Sequence, residues 1–269
     1  MCEISVIVTQ CEDERHTRSS ILSILNQSFT DFEVIISDSV SSAEIISIAK
    51  TFNDKRICVQ SESIVFKAVA GKYIAFMRAD HLMHIDRLQI QHAFMEATPS
   101  VTVCASCVKQ SDNPKLIQNA RIIQTPAGLI ENPLPVLLHG NFIKHTTAMI
   151  RKDFLSEHGI RYDIDDFSFW TEIAKHGGQF YVDTQTLMYQ TNAYCSEVEK
   201  TQNHPPEAAI NGIVDFLVAA NKEKHPELVI LLENFRKLQD KGLMTQQEIV
   251  YGFFHNFFVK NREHLNIIT

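Results

Sequence analysis

Apolar residues fall along this chain in short unbroken runs, separated by stretches whose apolar positions recur every three or four residues. Residues 4–9, ISVIVT, form a continuous β-branched run, the mark of a strand covered on both faces. A polar break, QCEDERHTR, leads into SSILSILNQSF, where Ile21, Leu22, Ile24 and Leu25 suit a helix facing a sheet. FEVIIS (32–37) predicts a second buried strand and SSAEIISIAKTF (41–52) a second helix. RICVQ (56–60) and KYIAFM (72–77) continue the alternation, a helix follows over 85–97, and SVTVCASCV (100–108) predicts a further strand. Strands alternating with helices over about 110 residues predict a mostly parallel sheet built of right-handed crossovers.

Further along the pattern loosens. RIIQT (121–125) and HTTAMI (145–150) predict strands, and LIENPLPVLLHG a short helix interrupted by prolines. RKDFLSEHG predicts a helix closed by Gly159, DFSFWTEIAKHGG a helix closed by Gly177-Gly178, and QFYVD with TLMYQT a closing pair of strands. From NHPPE (203–207) onward only helical patterns remain, over 207–222, 226–240 and 245–260. This divides the chain into an α/β unit over 1–200 and a C-terminal helical extension over 201–269. In the last pattern Tyr251, Phe254 and Phe258 form one stripe with Phe253 and Phe257 beside it. Such stripes dock on a core, here the α/β unit or a second copy in a homodimer. Peripheral contact with a membrane is the alternative, although Lys260 and Arg262 are nearly all the positive charge available for it.

Composition adds exclusions. The 269 residues are 45% hydrophobic and 21% charged, ordinary for a soluble globular chain with a sizeable core. A formal net charge of −7 and no cluster of Lys and Arg argue against a nucleic-acid partner. No apolar run reaches the roughly 18 residues that span a bilayer. Cys2 and Glu3 lead directly into the first strand pattern without a secretory leader. The six cysteines are scattered, and Cys104-Ala-Ser-Cys107 lies in a strand pattern that buries both thiols rather than in a metal or redox motif. A cytoplasmic protein is expected, at the inner face of a membrane if the tail touches one.

Candidate chemistry concentrates in AGKYIAFMRADHLMHIDRL (70–88), where Arg78-Ala79-Asp80-His81 puts three ionisable side chains at the end of an apolar run. The carboxyl ends of strands are where open α/β sheets hold ligands. With two other stretches, SVIVTQCEDERHTRSSILSILNQSFTDFEVIISD and NFIKHTTAMIRKDFLSEHGIRYDIDDFSFWTEIAKHG, this segment resembles the family-2 glycosyltransferases. Those enzymes have the GT-A fold, use nucleotide-sugar donors and mostly invert the anomeric centre. The resemblance runs from about residue 3 to 196 and leaves the helical tail uncovered.

The resemblance implies a Rossmann-like α/β fold with a central, mostly parallel sheet and helices on both faces. It implies transfer of a sugar from a nucleotide-diphosphate donor, with a UDP-sugar favoured, to a glycan acceptor in bacterial surface polysaccharide or lipopolysaccharide synthesis. Asp38 stands at the nucleoside-binding position, with Glu12 near the base pocket. Asp80 matches the main ligand of a Mn²⁺ or Mg²⁺ ion, and His81 can add an imidazole. Asp165-Asp166 opens the helix that carries the catalytic base, with Asp166 in that role, and His145, Thr146 and Trp170 fall near the acceptor site or, for Trp170, in the core beneath it.

Three departures stand out. The second acidic residue after the second strand is Ser39, the first carboxylate of the family's Asp-Ala-Asp-Asp is Arg78, and the late Arg-x-His is Gln190-Thr191-Asn192. A guanidinium at Arg78 either forks onto phosphate oxygens, taking over part of the ion's work, or pairs with Asp80 and silences the site. The residue types alone also admit plainer roles: an Asx turn at Asp38, and a helix-capping pair at Asp165-Asp166. A glycosyltransferase-like binding or scaffolding protein without catalysis is therefore the alternative function. A nucleotidyltransferase is disfavoured, because QCEDERHTR lacks glycine.

Overall fold

In a computed structural model, the structure describes residues 2–9, 16–37, 43–60, 69–110, 121–123, 127–138, 140–161, 166–190, 207–223, 225–243, 245 and 248. The first half alternates as the pattern predicts. Strand β1 (Ile4–Thr9) leads to helix α1 (Thr17–Leu25), β2 (Phe32–Ser37), α2 (Ala43–Lys50), β3 (Ile57–Gln60) and β4 (Tyr73–Arg78). These pair in parallel in the order β3-β2-β1-β4. A three-residue strand β5 (His81–Met83), helix α3 (Arg87–Ala97) and the long β6 (Val101–Gln110) follow.

The second half mixes directions. Strands β7 (Arg121–Ile123), β8 (Gly128–Ile130) and β9 (Met149–Arg151), helices α4 (Leu134–Leu137), α5 (Lys152–Glu157) and α6 (Asp166–Lys175), and strand β10 (Gln179–Gln190) complete the unit. Strand β9 lies antiparallel between β4 and β6, and β10 runs parallel to β6. Helices α7 (Glu207–Asn221) and α8 (Glu227–Asp240) come after it. Apart from Thr245 and Glu248, the third helical pattern of the extension, with its phenylalanine stripe, lies outside the described residues, as do Cys11 and Cys195.

Helices cover both faces of the sheet, because adjacent strand residues point to opposite sides. Ile4, Val6 and Val8 of β1 and Tyr73, Ala75 and Met77 of β4 join Ile21, Ile45, Leu88 and Met95 of α1, α2 and α3. Ile7, Ile74 and Phe76 face the other way and join Phe167, Trp170 and Ile173 of α6, with Ile213, Val214 and Leu217 of α7 and Leu228 of α8. Cys104 and Cys107 are buried free thiols.

Several details differ from the sequence reading. HTTAMI is not one strand: His145–Thr147 form a 3₁₀ turn before β9, with the Thr147 hydroxyl donating to the Lys144 carbonyl at 2.7 Å. QFYVD and TLMYQT are one strand, β10, whose register against β6 slips between Asp183 and Thr186 and again before Met188; these irregularities made it read as two. Leu22 is 42% exposed, while Ile21 and Ile24 are buried. Helix α1 instead gives part of its inner face to polar contacts. Ser20 donates to the His81 carbonyl, Ser23 accepts from the Met83 N–H at 3.1 Å, and Gln27 donates to the His84 carbonyl at 2.8 Å. The i, i+3, i+7 spacing of these three residues puts them on one stripe. As expected, α6 ends at Gly177, whose φ of +81° suits glycine, and Gly178 N–H returns to the Ile173 carbonyl at 3.0 Å.

Candidate active site

Strand β4 ends at Arg78, opposite Thr9 at the end of β1, and the next amide, Ala79, donates to the Thr9 carbonyl at 3.2 Å. The chain then turns into β5, which runs antiparallel to the end of β10 with His81 opposite Gln190. Gln190, where the resemblance implies a late arginine, therefore faces the residue after Asp80. The polar stripe of α1 holds the backbone of this turn, so the side chains of Arg78, Asp80 and His81 are presented from a braced segment.

Asp80 has no exposed surface and is forked by Arg78, whose side chain is 26% exposed. Arg78 Nε donates to Asp80 Oδ1 and Nη2 to Oδ2, each at 3.2 Å. His81 is buried, with Nδ1 3.2 Å from the Thr146 hydroxyl and Nε2 3.7 Å from Asp80 Oδ1. Burial pushes its pKa down to about 4; Asp80 opposes this, while Arg78, Lys144 and Arg87 reinforce it. The imidazole is therefore neutral at neutral pH.

The 3₁₀ turn carries the site onward. The His145 ring lies over Phe76, with centroids 4.0 Å apart, and its Nδ1 is 3.9 Å from Asp166 Oδ1. Burial also lowers the pKa of His145, opposed by Asp166. Asp166 is the first residue of α6, where the helix N-terminus favours a carboxylate, and its side chain is 45% exposed. Contacts thus run from Arg78 through Asp80, His81 and Thr146 to His145 and Asp166.

Arg87 braces this arrangement from below. It is fully buried and donates to the carbonyls of Phe76 at 3.1 Å and Ala148 at 3.2 Å and to Gln91 Oε1 at 3.0 Å. Gln91 donates in turn to the Thr147 carbonyl at 2.8 Å and the Cys104 carbonyl at 3.0 Å. Arg87 was not singled out from the sequence; its one legible trace is the i, i+4 spacing to Gln91 on α3. Lys144, before the turn, was missed as well.

Of the sequence-selected residues, the fold brings together Arg78, Asp80, His81, His145, Thr146 and Asp166. Of the two places open to Trp170, the acceptor site and the core beneath it, the structure shows the core: the side chain is completely buried, 5.0 Å from the Phe169 ring and 6.1 Å from Phe180, and has no surface for an acceptor to touch. His145 likewise offers an acceptor little surface, at 9% exposure. Asp38, Glu12 and Asp165 lie outside the described residues. A surface cleft of about 270 Å³ on the β3 edge, lined by Lys50, Asp54 and Val59 among others, includes none of these groups.

Among the described residues, Asp80 and His81 as they stand do not by themselves make a complete site for a divalent ion. Both oxygens of Asp80 are engaged by a guanidinium, and His81 adds a single nitrogen. Among the described residues, the one set of three His, Cys, Asp or Glu ligand atoms within 4.8 Å of one another is Glu3, His92 and Glu96. That set lies where β1 begins, not where it ends.

The mostly parallel central sheet with helices on both faces is a GT-A-type α/β fold. Residues 5–159 match the family model described as glycosyl transferase family 2, and the chain belongs to that family. An uncharacterized glycosyltransferase of Haemophilus influenzae is 24% identical over 207 residues, 65% of this chain and 61% of that protein. One of Rickettsia bellii is 34% identical over 104 residues, 35% of this chain and 15% of that protein. The chain thus spans less than two thirds of either relative. Among solved structures, S. aureus TarS 1–349 in complex with UDP-GlcNAc superposes with a TM-score of 0.56 at 17% identity, over 82% of this chain and 73% of that one. The same protein with UDP gives 0.57 at 18% identity, over 83% and 74%. At these identities the likeness is one of fold. No helix among the described residues is long and apolar enough to cross a membrane.

Proposed function

We propose that this chain is an inverting glycosyltransferase that moves a sugar, a hexose in our reading, from a nucleotide-diphosphate donor to a glycan acceptor, in surface polysaccharide or lipopolysaccharide synthesis. The observation that carries the reading is the run of contacts from Arg78-Asp80 at the end of β4 to Asp166 at the start of α6. It links Arg78, which we read as the phosphate-side group, to the half-exposed carboxylate of Asp166. In the reaction the Asp166 carboxylate takes the proton of the acceptor hydroxyl as that oxygen attacks the anomeric carbon. The bond from that carbon to the diphosphate oxygen breaks, and its electron pair leaves with the nucleoside diphosphate. Positive charge on the diphosphate side stabilises the departing oxygens. A UDP-sugar is the favoured donor, in keeping with the ligands of TarS. Asp38, Glu12 and Asp165 complete the donor and base pockets in this proposal.

Residues 201–269 are proposed as a helical extension packed on this unit. The α7 contacts to the α6 side of the core support that part. A second copy, or the inner face of a membrane, is the further partner we assign to the extension, which would keep the protein cytoplasmic.

The test is nucleoside-diphosphate release from a panel of UDP- and GDP-sugars with glycan acceptors. Asp166→Asn should lower turnover by about 10²- to 10⁴-fold while nucleotide binding persists. Undiminished turnover in that variant would remove Asp166 from the mechanism. The Arg78 fork on Asp80 favours a second reading, a glycosyltransferase-like binding protein; nucleotide binding with no turnover of any donor would support it.

A further inference from the structure

We infer that His158 and His176, which close helices α5 and α6, form a binding site for a borderline transition-metal ion such as Zn²⁺, and that the ion ties the two helix ends together. This site is independent of the proposed transfer reaction.

Both helices stop in the same way. Helix α5 is followed by His158-Gly159 and α6 by His176-Gly177, and the two glycines take positive φ, +64° and +81°. Each histidine turns its ring back onto its own helix. His158 Nδ1 is 2.9 Å from the Phe154 carbonyl oxygen, and His176 Nδ1 is 2.8 Å from that of Glu172. A carbonyl oxygen only accepts, so Nδ1 carries the proton in both neutral rings and Nε2 keeps its lone pair. Among the described residues no hydrogen bond reaches Nε2 of either ring. Metal-bound histidines are held in this manner, with the second nitrogen donating to a backbone carbonyl or carboxylate.

Packing then brings the two ends together. Gly178 has no side chain, and a Cβ there would stand 2.5 Å from Ile173 Cγ2 and 3.3 Å from Phe154 Cζ, so glycine lets the end of α6 close on α5. The His158 ring lies against Phe154, with centroids 4.4 Å apart, and against His176 at 4.8 Å with a tilt of 58°. Two nitrogens on one tetrahedral Zn²⁺ are about 3.3 Å apart, a separation that the edges of rings this close can reach. The tilt matters, because a metal sits in the plane of each imidazole and rings stacked face to face cannot share one. Either histidine alone is an ordinary helix cap; two of them with rings in contact and Nε2 unbonded make a pair of ligands.

The surroundings suit a cation. Unsatisfied carbonyls make the ends of helices partially negative, and Lys175, beside His176, is paired with Glu172 at 3.0 Å. Imidazole favours Zn²⁺, Ni²⁺ or Cu²⁺ over Mg²⁺, which prefers oxygen. His158 is half-buried and His176 exposed, so water can complete the coordination shell. Helix α6 is 10 residues long, which puts this end about 15 Å from Asp166 at the other. The ion is structural: it holds the helix that carries Asp166 and does not touch the transfer chemistry.

Calorimetric titration of Zn²⁺ into the metal-stripped full chain, with Mg²⁺ as the comparison, tests this. Wild type should show a Zn²⁺ site that His158→Ala and His176→Phe each weaken by about 10-fold or more. His176→Phe keeps a ring against His158 and removes only the ligand nitrogen, and an unchanged thermal midpoint in chelator reports its intact fold. His92→Ala, in the Glu3-His92-Glu96 cluster, should leave the site as it is. Zn²⁺ at a hundred times its Kd should raise the wild-type midpoint by about 5 °C or more and that of His176→Phe by less than half as much. No Zn²⁺ binding by wild type overturns the assignment, as does Zn²⁺ binding by His176→Phe as tight as wild type. Loss of the site in His92→Ala but not in His176→Phe also overturns it, by moving the ion to the other cluster. Equal affinity for Mg²⁺ overturns it too, since oxygen ligands rather than imidazoles would then hold the ion.

Discussion

The two ends of the central sheet use the same residue types in opposite ways. Where the strands begin, Lys72 bonds Glu96, which also accepts from Tyr73 at 2.5 Å, and His92 lies 3.4 Å from Glu3. The Lys72 and Glu96 side chains are 47% and 43% exposed. Hydrogen bonds from Lys72 and Tyr73 pull the Glu96 carboxyl down to about 2. Arg151, nearby, donates to the carbonyls of Val101, Met95 and Thr98. Where the strands end, Asp80 and His81 are taken out of water altogether. Charges half in water cost little to pair and contribute little. A fully buried carboxylate costs several kcal/mol in desolvation unless its partners answer it, and packing alone gives no reason to keep one there. Burial, more than the number of charges, marks the end at which we propose the site. The end that holds the one three-ligand cluster among the described residues, Glu3, His92 and Glu96 within 4.8 Å, already has the ammonium of Lys72 on Glu96.

Three measurements sharpen or break this contrast. The largest effect belongs to the core under the site: Trp170→Ala should cost about 3–5 kcal/mol in urea unfolding, as a large buried aromatic does. Trp170→Phe should at the same time leave the acceptor KM unchanged. A raised KM in a stable Trp170→Phe protein would return this residue to the acceptor site.

Next comes acid sensitivity. Between about pH 6.5 and 4 the unfolded chain takes up a proton at His81 that the folded chain refuses. Stability should therefore fall as pH drops through that window, by at most about 1.4 kcal/mol per pH unit from this group. His81→Gln should flatten the pH dependence of the unfolding midpoint below about pH 6.5. Identical slopes would mean that His81 takes its proton in the folded state too.

The smallest effect lies at the other end. Lys72→Ala should change unfolding free energy by no more than about 1 kcal/mol, and less in high salt, since the pair is exposed. A loss of several kcal/mol would erase the difference between the two ends.

Legibility followed range along the chain. Strands β1, β2 and β4 were readable because a strand buried on both faces must be apolar at consecutive positions, as ISVIVT and KYIAFM are. Helix α6 was readable from its apolar spacing and its closing glycines. Strand β5 was not, since three residues carry no period, and HTTAMI hid a 3₁₀ turn because Thr147 answers the backbone with its own hydroxyl. Within the site, Arg78 and Asp80 stand two residues apart, and their pairing was one of the alternatives the residues allowed. The contact of His81 with Thr146 spans 65 positions and left no local trace.

The sequence by itself determined the class of this protein: an α/β unit with acidic groups at two strand-to-helix junctions and an arginine where the resemblance implies a carboxylate. Those properties depend on residue type and near spacing, which set backbone preference and hydrophobic period. Only the tertiary structure decided that Asp80 is buried while Arg78 reaches the surface, that the Trp170 ring belongs to the core, and that Arg87 ties β4 to the turn carrying His145. Each of those outcomes is a matter of which atoms exclude water from which others, and desolvation is set by neighbours brought from far along the chain.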